Sequence, residues 1–258
     1  MTPTRPTISV VLVTRDRPAL LRDALRGIAA QILPPLEVII ADDGEQPVPA
    51  EILSGAPVPI EVIPVTARLT AAARNRASAA AHGEVLAFHD DDDRWLPHHL
   101  AGLAVAFRDP AVELAWRDSA VIQEQVTPEG IRRDLDRRVI AHDWDPELMR
   151  HDDYLPPSAW AVRRPLFERL QGFDESFRFS EDWDFLMRAA AITTPQRVPG
   201  VTVEVRMREH GNLSSEVHAE RIECLRRLEE RHGLPPLEPK TFWEVALAVA
   251  AAAGTAPP

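Results

Sequence analysis

Val85-Leu86-Ala87-Phe88-His89-Asp90-Asp91-Asp92-Asp93-Arg94-Trp95-Leu96-Pro97 decides how this chain folds. Four apolar residues and a histidine run straight into four adjacent aspartates, and Trp95-Leu96-Pro97 then opens a helix. An apolar run this short, bounded by polar residues, reads as a buried strand. Carboxylates side by side at its end repel one another, the more so in a low-dielectric setting. A divalent cation relieves that repulsion, and hard oxygen ligands suit magnesium or manganese. A solvated acidic turn is the plainer alternative, but the position between a buried strand and a helix favours the metal.

Outward from this stretch, the first 116 residues alternate between two patterns. Residues 7–13, 36–41, 60–65 and 84–88 are short Ile- and Val-rich runs that read as strands. Helical spacing covers 18–31, with Pro18 suited to a first turn, then 68–81 and 97–108, and 112–116 reads as a further strand. Such alternation implies an α/β fold with a mostly parallel sheet flanked by helices, and ligands gather at the carboxyl ends of its strands. Thr14-Arg15-Asp16, Asp42-Asp43-Gly44 and the run from His89 to Asp93 each follow a strand and are expected at one edge.

The second half is less regular. Strands are expected at 119–126, 158–162 and 198–205, and helices at 165–170, 182–191 and about 215–231. Pro235, Pro236 and Pro239 set off a last helix. The expected organisation is one catalytic domain over 1–234 and a C-terminal helical extension over 235–258. Within the domain, about 1–116 and about 117–234 form two functional halves, the second the smaller.

Composition narrows the partners. With 258 residues, 45% hydrophobic and 27% charged, the chain can bury a sizeable core. A net charge of -11 argues against nucleic acid and anionic membrane as partners. The single cysteine, Cys224, excludes an internal disulfide, and with no signal-like start the cytoplasm is the expected compartment. No apolar run reaches the ~20 residues of a spanning helix. The apolar face with Phe242, Trp243, Val245 and Leu247 is expected either to pack back on the domain or to make a homodimer.

The chain resembles the family 2 glycosyltransferases of GT-A-type fold in an ordered set of segments. These are 9–15, 38–44, Ala73-Arg74-Asn75, 83–97, Gly172-Phe173-Asp174-Glu175, Glu181-Asp182-Trp183-Asp184 and His210-Gly211-Asn212-Leu213-Ser214. The resemblance implies transfer of a sugar, with inversion, from a nucleotide-sugar donor, a UDP-sugar foremost, with about 1–116 as the nucleotide-sugar-binding half and about 117–234 as the half for acceptor and base. The acceptor stays open among a glycan, a lipid-linked intermediate and a small metabolite. By resemblance Thr14 and Arg15 flank base and ribose, Asp42 or Asp43 accepts from the base, and Arg68 and Arg74 border the same pocket. Asp90-Asp91-Asp92 covers the DXD motif, with Asp90 and Asp91 at the donor and Asp92 as metal ligand. Asp93 is expected to cap the next helix, and His89 is given no role. Asp182 is the implied general base, with Glu181 beside it. Acidic residues at a helix N-terminus are also favoured by the helix dipole alone. His210 is the implied second metal contact, for Mn2+ or Mg2+, and Arg206 and Arg208 are expected near the diphosphate. Asp184 and Arg188, four apart, are expected to pair along the helix. Two rival readings are a silent sugar-binding partner protein and a sugar-phosphate nucleotidyltransferase. The second lacks its glycine-rich loop after the first strand, and the only lysine, Lys240, lies near the C-terminus.

Overall fold

The computed structural model describes residues 5–127, 132–208 and 219–252. Nine strands among them form one sheet in the order β3-β2-β1-β4-β8-β6-β9-β5, with β7 added on β6. The first half is β1 (Ile8–Thr14), α1 (Pro18–Ala29), β2 (Glu37–Asp42), α2 (Ala50–Leu53), β3 (Ile60–Pro64), α3 (Thr70–Ala80), β4 (Val85–Asp90), β5 (Arg94–Trp95) and α4 (His99–Ala106). The second is β6 (Leu114–Val126), β7 (Arg132–Ile140), α5 (Pro146–Met149), β8 (Trp160–Arg163), α6 (Arg164–Arg169), α7 (Glu181–Ala190), β9 (Gln196–Arg208), α8 (Ala219–His232) and α9 (Phe242–Ala252).

β1 to β4 are mutually parallel where they pair, so Thr14 stands beside Asp42 and Val13 beside Asp90. Helices cover both faces of such a sheet, which is why β1, β2 and β4 are almost wholly apolar and buried. α1 begins on Pro18 and buries Leu21, Ala24 and Ile28 at helical spacing. α3 buries Ala71, Ala73 and Ala77, whose small side chains let its backbone lie close to the sheet.

β6 departs from the expected pattern. The spacing predicts two strands, 112–116 and 119–126, broken at Arg117-Asp118, yet one strand of 13 residues runs through. The polar pair is absorbed by β9. Asp118 accepts from Arg197 at 2.7 and 3.0 Å and from the Gly200 N–H, while Arg117 donates to the Thr202 hydroxyl. The β6–β9 register shifts at just these positions.

α9 packs on β7 and β6. Val245, Ala246 and Val249 are buried there, and the Arg138 guanidinium lies over the Trp243 ring at 5.2 Å. Its apolar face thus packs back on the body, with Leu247 turned outward. No helix among the described residues is long and apolar enough to cross a membrane.

Candidate active site

The two segments flanking the centre of the molecule meet through α3. Asn75 donates to the Phe173 carbonyl and to Glu175, and accepts from the Phe173 N–H, which fixes the loop before α7. Gly172 precedes this contact at φ 69°, and a Cβ there would lie 2.5 Å from the Asn75 amide oxygen. Both facts explain why an Arg-Asn pair and a Gly-Phe-Asp-Glu run recur in one chain about a hundred residues apart.

Arg74, one residue earlier, is 4% exposed and reaches into a cavity of about 270 Å³. Its guanidinium donates to Asp90 at the end of β4 and to Glu181 at the start of α7, each at 2.6 Å. Burial works against its charge, but Asp90, Glu181 and Asp182 together hold it firmly protonated. One buried cation therefore fastens the acidic run to the Glu181-Asp182 pair, and the cavity is lined by Asp90, Asp92, Asp93, Glu181 and Asp182 alike.

The four aspartates have different surroundings. Asp91 is 1% exposed and lies outside the cavity lining, accepting from Thr14 at 2.7 Å and pairing with Arg17 at 2.6 Å. Burial, opposed by Arg17, lifts its carboxyl to about 7. Asp92 faces the cavity, 3.3 Å from Arg17 and 3.7 Å from Arg208. Asp93, expected to cap α4, is instead buried and accepts from the Arg206 N–H, and burial followed by its neighbours Asp92 and Asp90 drives it well above the carboxylate range. His89 is a buried core histidine between β1 and Trp95. Its Nδ1 sits 2.7 Å from the Asp90 carbonyl, its ring 4.3 Å from that of Trp95, and burial lowers it to about 4.

The expected donor residues are placed unequally. Thr14 is tied to Asp91, and Arg15 is exposed. Both Asp42 oxygens are taken by its own loop, from the Gly44 and Val48 N–H groups. Asp43 is half-buried and accepts the Arg68 N–H, while the Arg68 side chain lies outward near Glu45. Arg206 and Arg208, expected at the diphosphate, belong to β9 and are held by Glu124 at 2.5 and 2.9 Å. His210 lies outside the described residues.

Among the described residues no three side chains of metal-binding type converge. The donor set still fits an oxygen-seeking cation, because Asp90 and Asp92 both face the cavity, and magnesium-type sites take one or two carboxylates and complete their shell with phosphate oxygens and water.

At α7, Ser180 holds a left-handed backbone (φ 61°) directly before Glu181. Burial and then Asp182 raise Glu181 to about 7, against Arg74. Asp182 is also raised, by burial first, with Arg74 opposing and Asp90 reinforcing. One Asp182 oxygen accepts the Trp183 N–H. Asp184 is fully buried and pairs with Arg188 as its spacing predicts, and also with Arg231 and His232. Sequence spacing offered no signal for Arg17, held by Asp91, or for the Lys240–Asp152 pair, since each depends on a partner many residues away.

A family model described as glycosyl transferase family 2 matches residues 9–171. YwdF of Bacillus subtilis, named as an uncharacterized glycosyltransferase, is 34% identical over 238 residues, which cover 91% of this chain and 87% of its own. The 1–349 fragment of S. aureus TarS, solved in complex with UDP-GlcNAc, has a TM-score of 0.68 at 19% identity, covering 95% of this chain and 73% of the fragment. Against a longer TarS structure this chain spans 39% of the length. The mannosyltransferase PcManGT of Pyrobaculum calidifontis, in complex with GDP-Man and Mn2+, has a TM-score of 0.60 at 20% identity, covering 99% and 77%. At these identities the structural likeness shows the fold, which is the GT-A type. The matched family model and the extended likeness to YwdF identify the chain as a member of glycosyl transferase family 2.

Proposed function

We propose that the chain transfers a sugar, with inversion, from a UDP-sugar to a hydroxyl acceptor in the cytoplasm, with Asp182 as general base. The observation that carries this is the Arg74 clasp, which sets Glu181-Asp182 and Asp90-Asp92 on one cavity. Inversion needs a base separate from the leaving-group site. Asp182 takes the acceptor's proton, the acceptor oxygen bonds to the anomeric carbon, and the bond from that carbon to the diphosphate breaks with its electron pair leaving on UDP. A carboxyl raised by burial is the more basic for it, which suits this role near neutral pH.

Asp92 and Asp90 would hold a divalent cation, magnesium or manganese, whose charge stabilises the departing diphosphate. PcManGT was solved with GDP-Man and Mn2+, which supports the metal, and the TarS fragment with UDP-GlcNAc, which supports the uridine choice. The nucleoside lies against the ends of β1 and β2. There Asp43 has the freer carboxylate, because the Asp42 oxygens already accept two backbone N–H groups.

Calorimetric titration of UDP, GDP and dTDP, with and without manganese, tests this reading. UDP is expected to bind in a metal-dependent way, and Asp92→Ala to abolish that dependence. Asp182→Asn is expected to retain UDP binding and to lose roughly 10²- to 10⁴-fold in UDP release from UDP-glucose. Metal-independent binding, or undiminished turnover by Asp182→Asn, would refute the assignment.

A further inference from the structure

The cavity has a wall drawn from chain far beyond the matched family region. Lys240, the only lysine, places its Nζ 2.6 Å from Asp152 and so ties the strap after α8 to the segment before β8. Arg221 of α8 donates to the Lys240 carbonyl, and Arg150 donates to that of Gly233. Lys240, Asp152 and Asp153 line the same cavity as Asp182. Asp153 lies within the field of Asp182 and Glu181. Three aromatic residues, Phe179, Trp183 and Phe242, also line the cavity.

We propose that Lys240 and Asp152 are the specificity-determining pair of an acceptor subsite that takes an uncharged or amino-bearing polyol and turns anionic acceptors away. This rests on the transfer reading above. A lysine and a carboxylate side by side offer donors and acceptors together, which is what a run of hydroxyls requires. Aromatic faces beside them suit the C–H faces of such a molecule. Charge decides against anions. Lys240 is answered by Asp152, and Arg178 by Glu220 at 3.0 Å. The remaining cation of this wall, Arg221, lies in the field of Asp182 and Glu244, and Asp153 and Glu238 add further acidic side chains to the lining. An acceptor carrying a carboxylate or phosphate would meet an excess of like charge at short range, whereas an ammonium would not.

Saturation-transfer NMR on the full chain loaded with UDP and Mg2+ tests this, with methyl β-glucoside, methyl β-glucosaminide and methyl β-glucuronide as shape-matched probes. The glucoside and the glucosaminide are expected to receive saturation, and the glucuronide is not. Lys240→Ala is expected to weaken the glucoside by roughly tenfold, and Lys240→Arg to restore it, with UDP affinity equal in all three proteins. Preferential binding of the glucuronide, an unchanged glucoside signal in Lys240→Ala, or no glycoside bound to the UDP-loaded chain would overturn the subsite. If UDP itself fails to bind the unaltered chain, the transfer reading falls with it, which separates the two failures.

Discussion

The β1–β4 half and the half from β6 to α9 serve one cavity but are built in different ways. In the first, four parallel strands satisfy their backbone among themselves and bring Thr14, Asp42 and Asp90 to one edge through register alone. In the second, long-range side-chain pairs do that work: Arg197 with Asp118, Arg206 with Glu124, Lys240 with Asp152. A sheet edge tolerates much variation in what it carries, because its geometry comes from the backbone. A wall of paired charges is specific in each member, because a buried charge stripped of its partner is costly.

Arg74 joins the two constructions, so its loss should have the largest effect. Arg74→Met leaves Asp90 and Glu181 facing each other across a buried site, and a destabilisation of about 3–5 kcal/mol is expected. Urea unfolding measures it. A loss below about 1 kcal/mol would mean that the halves are held together elsewhere.

Next in size is a pH effect at Glu181, where the two constructions meet. A carboxyl whose pKa rises on folding favours the folded state while protonated. Glu181 therefore contributes fully below its ordinary 4.5, and that contribution is lost as pH rises through about 7. Melting temperature is expected to fall from pH 5 to pH 7.5, and Glu181→Gln to flatten the fall. An equal slope in both proteins would remove Glu181 as its source.

The smallest effect belongs to the entry into α9. Thr241 and Glu244 bond reciprocally to each other's N–H groups and cap that helix. Thr241→Ala is expected to cost about 1 kcal/mol in urea unfolding and to leave UDP affinity as it was. A marked loss of UDP binding would show that α9 supports the donor side as well.

This contrast also sets how much the sequence discloses. Buried parallel strands are continuous apolar runs, so β1 to β4 were legible to within about two residues, and the acidic run and Glu181-Asp182 with them. Side-chain pairing leaves no local trace. Asp93 looks like a helix cap because an aspartate before a helix usually is one, but here Ser158 and the Arg206 N–H claim it from across the sheet. Nothing in the spacing of Arg206 and Arg208 announces Glu124, 82 and 84 residues away, which holds them both. Arg117-Asp118 looks like a strand break because its partners on β9 are equally remote.

The adjacency of Arg74 and Asn75 has a mechanical consequence. Neighbours on a helix project about 100° apart, so one turn of α3 aims a cation at the cavity and an amide at the 172–175 loop together. One residue inserted in α3 ahead of them would swing both through that angle and undo the two contacts in a single event. The same residue added in the exposed 54–57 turn would meet no such gearing. The tolerance of this fold to length change is therefore set less by the loops than by the phase of one short helix.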